Sequence, residues 1–391
     1  MERARRGIWF FLMVSRHLPW RERKCQGQHV LRFIIARTFQ DRRDTQNRQG
    51  LAVPVIPESD EMMHRKRKRK EIRDNIADNF DLSHLNASPL KLTLPERHHQ
   101  GDHGHTLKIY LVGCGGTGSW LAPHLVRLAR FLRETRQMNV HLTFIDPDVV
   151  ELKNVFRQNF GESEIGGKKA ELLALRYAAV WGMAIEVHAA RFDIAMTQLE
   201  YGDLGVIVGC VDNAAARRTI AETLDQETRL RSAEGLPRLW WLDCGNGAET
   251  GQVLFGAART ARQLQRAFPY WPDQGFCVNL PAPDLQHPDL LEAQAEQVAQ
   301  QAKESAVSCA EMLLMGDQSP SINAIVANVA ATYLWRLFAD PQGLTMFATY
   351  CNLNVLGTHS RFITPDAVAQ AIGRKTTQVF KPRATTKRKE K

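Results

Sequence analysis

A glycine-rich loop is the segment of this sequence with the clearest capacity for chemistry. It spans Gly113–Gly118, reads Gly-Cys-Gly-Gly-Thr-Gly, and separates an apolar run from a helical pattern. Glycine lacks the Cβ atom that would keep phosphate oxygens away, and a helix N-terminus offers unpaired N–H groups and positive dipole character. The loop satisfies the dinucleotide-binding fingerprint, although one glycine of such a pattern can serve helix–strand packing alone.

A carboxylate stands at the end of the next apolar strand. Asp146 ends that strand, where its oxygens can accept hydrogen bonds from ribose hydroxyl groups. The loop and Asp146 alone leave both a nicotinamide- or flavin-dependent enzyme and an ATP-binding enzyme open.

Three further charged residues favour ATP. Arg157 and Lys169 can neutralise charge as pyrophosphate leaves, and Asp212 can hold a Mg²⁺ ion that bridges the phosphates. A dehydrogenase has no evident need for this set, and the P-loop pattern GxxxxGK[ST] is absent from the sequence. The residues indicate an enzyme that folds a triphosphate back over a sheet.

Alternating strand and helix patterns must position these residues. Strands are predicted at Leu107–Val112, Val140–Ile145, Ile185–Ala189, Leu204–Cys210, Leu239–Asp243 and Gln252–Gly256. Helices are predicted at Ser119–Arg133, Lys168–Trp181 and Ala214–Leu224. The alternation predicts an α/β fold with a doubly wound, Rossmann-like, largely parallel sheet. A hairpin from Met346–Leu356 and Arg361–Thr364 would close it as a C-terminal antiparallel extension.

Four regions are expected along the chain. Residues 1–104 are a basic, poorly ordered arm, and residues 1–61 are suspected to precede the native start because Met62 and Met63 follow them. Residues 105–257 form the nucleotide-binding domain, and residues 258–365 complete it. Residues 366–391 are a basic, disordered tail.

Composition limits the partners and the compartment. The formal net charge of +9 invites a nucleic-acid partner, but the basic excess lies before residue 71 and after residue 370. Nucleic acid is therefore expected only through the basic tails. The 7 cysteines are odd in number and form no CxxC pair, which favours a cytoplasmic protein without a structural zinc. No apolar run is long enough for a membrane span.

The ordered motifs resemble a known superfamily. Four motifs follow one another in the same order as in the ThiF/MoeB/ubiquitin-activating adenylating enzymes, which the sequence therefore resembles: GxGGxG, Asp-x-Asp-x-Val-x-x-x-Asn-x-x-Arg-Gln, Gly-x-x-Lys and Asp-Asn. More narrowly, four segments look like the ThiF-family member of bacterial PRTRC cassettes: Trp241–Asn246, Gly251–Gly256, Ser308–Glu311 and Leu334–Phe338. The resemblance covers roughly residues 105–365.

The resemblance implies ATP-dependent adenylation of the C-terminal glycine of a small ubiquitin-like protein, with release of pyrophosphate. It also implies Mg²⁺ and a homodimer. The implied roles are phosphate binding by Gly113, Gly115, Gly116 and Gly118, ribose binding by Asp146, nucleotide contact by Asn154, Arg157 and Asn213, phosphate neutralisation by Lys169, and Mg²⁺ binding by Asp212. Lys169 is preferred to Lys168 because its spacing from Gly166 fits the motif.

Cys309 lies where thiol-using members of the superfamily carry a cysteine. It is a candidate nucleophile that would accept the acyl group, or else a buried bystander, and Cys277 is a more distant candidate. Two other readings of the chain stay open. One is a catalytically degenerate nucleotide-binding scaffold of a plasmid or mobile-element cassette. The other is an NAD-dependent oxidoreductase, which requires the set of Arg157, Lys169 and Asp212 to be coincidental.

Overall fold

The computed structural model describes residues 89–94, 106–200, 202–229, 236–269, 275–292 and 320–380. The strands are β1 Lys91–Leu92, β2 Thr106–Val112, β3 Asn139–Ile145, β4 Glu186–His188, β5 Leu204–Gly209, β6 Leu239–Asn246, β7 Thr250–Gly256, β8 Phe276–Cys277, β9 Met346–Asn352 and β10 Gly357–Phe362. The helices are α1 Gly116–Thr135, α2 Leu152–Val155, α3 Lys169–Trp181, α4 Ala214–Arg229, α5 Ala261–Leu264, α6 Pro283–Gln286, α7 Pro320–Phe338, α8 Pro365–Ala371 and α9 Thr376–Val379.

The main sheet has the strand order β10-β9-β7-β6-β5-β2-β3-β4. Strands β4, β3, β2, β5 and β6 are parallel, whereas β7, β9 and β10 are antiparallel. The predicted doubly wound sheet with a C-terminal antiparallel extension is therefore confirmed. The chain builds outward from β2 to β3 and β4, then returns to place β5 on the other side of β2. This reversal creates the crevice in which open α/β sheets bind ligands.

Both faces of the sheet are covered, as the apolar strands require. Trp240 and Trp241 are adjacent on β6 and fully buried, so they point to opposite faces. Trp240 stacks on Phe255 with ring centroids 5.2 Å apart, in the core cluster that also includes residues of α1, α3 and α7. Trp241 belongs to a second cluster with residues of α4, among them Ile220.

Residues 89–94 belong to the folded core, in contrast to the expected arm over residues 1–104. Strand β1 pairs in parallel with β8, and Leu92 and Leu94 are buried. The Leu90 N–H donates to the carbonyl oxygen of Ile363 at 2.8 Å. Two apolar side chains and a set of main-chain hydrogen bonds thus hold a segment too short to show a sequence pattern. The remainder of the predicted arm lies outside the described residues.

The C-terminal end also differs from expectation, because the predicted disordered tail begins inside folded structure. Helices α8 and α9 occupy part of residues 366–380, and Val368 and Val379 are buried. Phe380 packs edge-on against Phe268 with ring centroids 4.8 Å apart. Burial of these apolar side chains outweighs the basic character of the segment. Residues 381–391 lie outside the described part of the chain.

Within the described residues, no helix combines the length and the apolar character that crossing a bilayer would require.

Candidate nucleotide site

The glycine loop lies at the carboxyl end of β2, beside the reversal in strand order. Gly113 has φ +91°, and a Cβ on it would lie 2.5 Å from the carbonyl oxygen of Cys210. A Cβ on Gly118 would lie 1.9 Å from the carbonyl oxygen of Gly113. These two glycines are therefore required by close main-chain packing.

The other two glycines of the loop form the start of the helix. Gly115 is the N-cap of α1 and Gly116 is its first residue. A Cβ on Gly115 would meet its nearest atom, Nε2 of Gln158, at an ordinary 3.6 Å. The absence of side chains here opens the helix N-terminus, where N–H groups bind anions readily. Phosphate binding by the four glycines remains a prediction.

Asp146 at the end of β3 is only 5% exposed and holds the glycine loop. Its Oδ2 accepts the Cys114 N–H at 2.6 Å, and its Oδ1 accepts the Asp148 N–H at 2.8 Å. Burial raises the pKa of Asp146, although these main-chain hydrogen bonds and Lys169 oppose the shift. Each carboxylate oxygen can accept a second hydrogen bond. The geometry is therefore compatible with the predicted ribose contact.

Lys169 and Lys168 have different environments at the start of α3. Lys169 is buried, and its Nζ lies 3.2 Å from Oδ2 of Asp148. Its positive charge lowers the pKa values of Asp146 and Cys114 against the larger effect of burial, which raises both. The main-chain N–H of Asp148 donates to Asp146, which holds the glycine loop, so a series of hydrogen bonds connects Lys169 to that loop. Lys168 is only partly buried and donates to the carbonyl oxygen of Pro147 at 2.6 Å. The environments favour Lys169 as the phosphate ligand.

The short helix α2 shapes the segment that carries Arg157. Asn154 is buried, and its Oδ1 accepts the Glu151 N–H at 3.0 Å as part of a capping interaction. The Asn154 carbonyl oxygen accepts the N–H groups of Arg157 and Gln158 at 3.1 and 2.8 Å. Asn154 therefore has a structural role here, and its contact with nucleotide remains a prediction.

Gln158 is a site residue to which sequence reasoning assigned no role. It is buried beside Gly115, and among the described residues its Oε1 has no hydrogen-bond partner. A buried polar atom without a partner is unusual. Gln158 directly follows Arg157 in the sequence motif, and this position was the sequence feature that could have indicated a role in the site.

Asp212 and Asn213 follow β5 at the start of α4. The Asn213 Oδ1 accepts the Ala216 N–H at 2.9 Å, so Asn213 caps the helix. The Asn213 Nδ2 donates to Oδ1 of Asp212 at 3.2 Å, and the Asp212 side chain is exposed. Mg²⁺ is commonly held by one or two carboxylates together with substrate phosphates, and Asp212 fits that requirement. Among the described residues, no group of three or more His, Cys, Asp or Glu converges as a metal site.

A buried ion pair joins the middle of β6 to α4. Asp243 is fully buried and accepts the Arg217 Nε–H at 3.1 Å. Burial raises the pKa of Asp243, and Arg217 opposes the shift. The sequence analysis gave neither residue a role. Asp243 ends the predicted apolar strand Leu239–Asp243, and a carboxylate in that position could have indicated a buried basic partner.

Of the two candidate thiols, Cys309 lies outside the described residues, so its role remains a prediction. Cys277 is buried, and its Sγ–H donates to the Asn279 carbonyl oxygen at 2.9 Å. Burial raises the pKa of Cys277 to about 12, which disfavours the thiolate that a nucleophile needs.

Three solved structures illustrate the matches. A structure titled E. coli MccB with AMPCPP and selenomethionine MccA is 15% identical, with a TM-score of 0.39, over 68% of this chain and 65% of that chain. PaaA is 14% identical, with a TM-score of 0.40, over 91% and 86%. E. coli MccB with ATP is 13% identical, with a TM-score of 0.39, over 65% and 63%. The chain thus spans slightly less than two thirds of the length of these two MccB chains.

No curated protein matches the sequence. The ThiF family profile matches residues 96–367, which is more than half of the chain and includes every described site residue. The chain belongs to the ThiF family.

Proposed function

We propose that this protein catalyses ATP-dependent adenylation of the C-terminal carboxylate of a small protein or peptide, with release of pyrophosphate. The observation that carries this proposal is the buried Lys169, which pairs with Asp148 and is connected to the glycine loop through the hydrogen bonds of Asp146. ThiF-family membership supports the same reaction.

The reaction demands charge neutralisation more than acid or base chemistry. A substrate carboxylate oxygen attacks the α-phosphorus, and the bond from that phosphorus to the oxygen that bridges to the β-phosphorus breaks. Pyrophosphate leaves with the electron pair. Lys169, Arg157 and the N-terminus of α1 supply positive charge for the phosphates, where preorganised charge is most effective. Mg²⁺ held by Asp212 would neutralise charge on the leaving phosphates.

The substrate that we propose is a ubiquitin-like protein ending in glycine, and the assembly a homodimer in the cytoplasm. The motif resemblance supports the substrate and the homodimer, and the odd number of cysteines supports the cytoplasm. In a second step, the Cys309 thiolate would attack the acyl carbon of the adenylate, which would form a thioester, break the acyl–phosphate bond and release AMP. Cys309→Ser is then expected to retain pyrophosphate exchange but to lose any thiol-sensitive covalent adduct. A variant that loses exchange as well would place Cys309 in the first step.

The test is ATP–pyrophosphate exchange with purified protein and a small partner ending in glycine, such as the product of a short neighbouring reading frame. Labelled ATP should form only when partner and Mg²⁺ are both present. A partner without its terminal glycine is the matched control. ATP binding without any exchange would favour the scaffold function instead. Binding of NADH in place of ATP would overturn the proposal.

A further inference from the structure

A buried carboxamide connects three parts of the candidate site. Asn323 lies in the first turns of α7 and is fully buried. Its Oδ1 accepts a hydrogen bond from the Thr117 hydroxyl at 3.5 Å and another from Nδ2 of Asn246. Its Nδ2 donates to the main-chain carbonyl oxygen of Arg157 at 3.1 Å. One side chain of α7 therefore contacts the glycine helix, the end of β6 and the Arg157 segment.

The chemistry of the partners determines the orientation of this carboxamide. A main-chain carbonyl can only accept a hydrogen bond, so the atom that faces the Arg157 oxygen must be the amide nitrogen. The oxygen of Asn323 then faces the Thr117 hydroxyl and the Asn246 amide, both of which can donate. All three interactions are satisfied in only one orientation.

The Arg157 main chain is held from two sides. The indole Nε1 of Trp120, on α1, donates to the Arg157 carbonyl oxygen at 3.5 Å. The Asn323 amide reaches the same oxygen from α7. The next residue, Gln158, lies against Gly115 of the loop. The backbone that carries the Arg157 guanidinium is therefore tied to two helices beside the predicted phosphate site.

We propose that Asn323 is a positioning residue for Arg157. Its carboxamide holds the Arg157 main chain against the glycine helix and so directs the guanidinium toward the nucleotide phosphates. This inference rests on the proposed function, in which Arg157 neutralises charge on the departing pyrophosphate. Misplacement of a catalytic group by about 1 Å can cost about a hundredfold in rate.

The variant Asn323→Asp tests the donor alone. It preserves the size of the side chain and the oxygen that faces Thr117 and Asn246. It replaces the donating amide with a carboxylate oxygen, which repels the Arg157 carbonyl oxygen. Burial raises the pKa of the introduced carboxyl group. When that group is protonated, its O–H can donate to the carbonyl and restore the original interaction.

The control variant is Asn328→Asp. Asn328 is exposed on the same helix, and its Nδ2 donates within the helix to the Ala324 carbonyl oxygen. Of the three residues that hydrogen-bond to Asn323, only Arg157 carries a charged side chain. All other charged groups, including Asp146, Lys169 and the nucleotide, are shared with the control. The ratio of kcat in Asn323→Asp to kcat in Asn328→Asp, followed against pH, therefore reports the protonation of the carboxyl group introduced at residue 323.

The experiment measures kcat and the KM for ATP in pyrophosphate exchange from pH 6 to pH 9. At pH 8, Asn323→Asp should lower kcat by about tenfold to a hundredfold while the KM for ATP changes by less than about threefold. The deficit should shrink severalfold toward pH 6. Asn328→Asp should stay within about twofold of the wild type at every pH.

Two results would overturn the inference. One is wild-type kcat in Asn323→Asp at pH 8, and the other is a loss that does not change with pH, which would indicate a purely structural residue. Circular dichroism checks folding; if Asn323→Asp does not fold, Trp120→Phe removes the second donor to the same oxygen. It should then lower kcat severalfold, and an unchanged kcat would reject the idea. Absence of exchange in the wild type rejects the proposed function itself.

Discussion

Lys169 and Asp148 form an ion pair of 3.2 Å in which the lysine side chain is only 7% exposed and the aspartate side chain 62% exposed. Burying a cation is unfavourable unless it is paired and hydrogen-bonded. Asp148 supplies one partner from the solvent side. A nucleotide phosphate beside the glycine loop would supply a second anion on the buried side.

Removal of the buried ammonium should therefore abolish most activity. We expect Lys169→Ala to lower pyrophosphate exchange by about a hundredfold, because charge on the leaving pyrophosphate would be left without a partner. The adjacent Lys168→Ala should lower it by less than about threefold, since the exposed Lys168 ammonium donates to the Pro147 carbonyl oxygen. Equal losses of exchange in the two variants would contradict the proposal that Lys169, and not Lys168, binds the phosphates.

The Asp212 carboxylate should determine the Mg²⁺ requirement. In Asp212→Asn, we expect the Mg²⁺ concentration for half-maximal exchange to rise, with at least about tenfold less exchange at limiting Mg²⁺. Asp193→Asn is the control, because Asp193 is exposed and only accepts the Ala195 N–H at 2.9 Å. A Mg²⁺ titration of the exchange rate gives both quantities. An unaltered titration in Asp212→Asn would remove Asp212 from the metal site.

Two glycines of one loop should respond differently to the same substitution. Gly118→Ala should prevent correct folding or greatly destabilise it, because the added Cβ would lie 1.9 Å from the Gly113 carbonyl oxygen. Gly115→Ala should fold with stability within about 1 kcal/mol of the wild type. It should nevertheless weaken ATP binding, because its methyl group would occupy the opening at the helix N-terminus. Urea unfolding and calorimetric binding of an ATP analogue distinguish the two effects.

The Lys108–Asp203 ion pair should stabilise the protein except in acid. Burial would raise the pKa of Asp203, but hydrogen bonds from Lys108 and the main-chain N–H groups of Glu200 and Thr106 lower it overall. A lowered pKa gives stability that is present above about pH 4 and is lost as the pH falls through the folded-state pKa.

The variant Asp203→Asn should lower the free energy of unfolding by about 2 kcal/mol at pH 7, because the charge is lost and one main-chain N–H would face an amide N–H. The difference from wild type should narrow as the pH falls below about 4. Urea unfolding at several pH values measures it, and Asp193→Asn serves again as the control. If the difference in unfolding free energy between wild type and Asp203→Asn widens in acid, the pKa of Asp203 is raised in the folded protein and not lowered.

The central strands of the parallel half of the sheet could be predicted from the sequence because they are buried on both faces. Such strands appear as continuous apolar runs, and Leu204–Gly209 is buried throughout. The predicted strand Leu204–Cys210 differs from it by one residue. The segments at 89–94 and 366–380 could not be recognised in this way. Their apolar residues are few, and distant partners determine their burial.

The candidate site was predictable where residues follow strand ends. Asp146 follows β3 and Asp212 follows β5, the two strands that flank β2, so their place at one edge of the sheet is a consequence of topology. Asn323 had no such signal, because it is one of several polar residues in a largely apolar helix and lies 166 positions from Arg157. Only the folded chain brings these two residues together.

The pairing of residues 89–94 with later parts of the chain has a consequence for protein synthesis. The N–H of Leu90 bonds to Ile363, and the N–H of Leu92 bonds to Leu344. Contacts so distant in sequence form late, after large loops have closed. On the ribosome, Leu92 therefore stays without its partner Leu344 until most of the chain has emerged. During that interval its apolar side chain is available to chaperones or to aggregation.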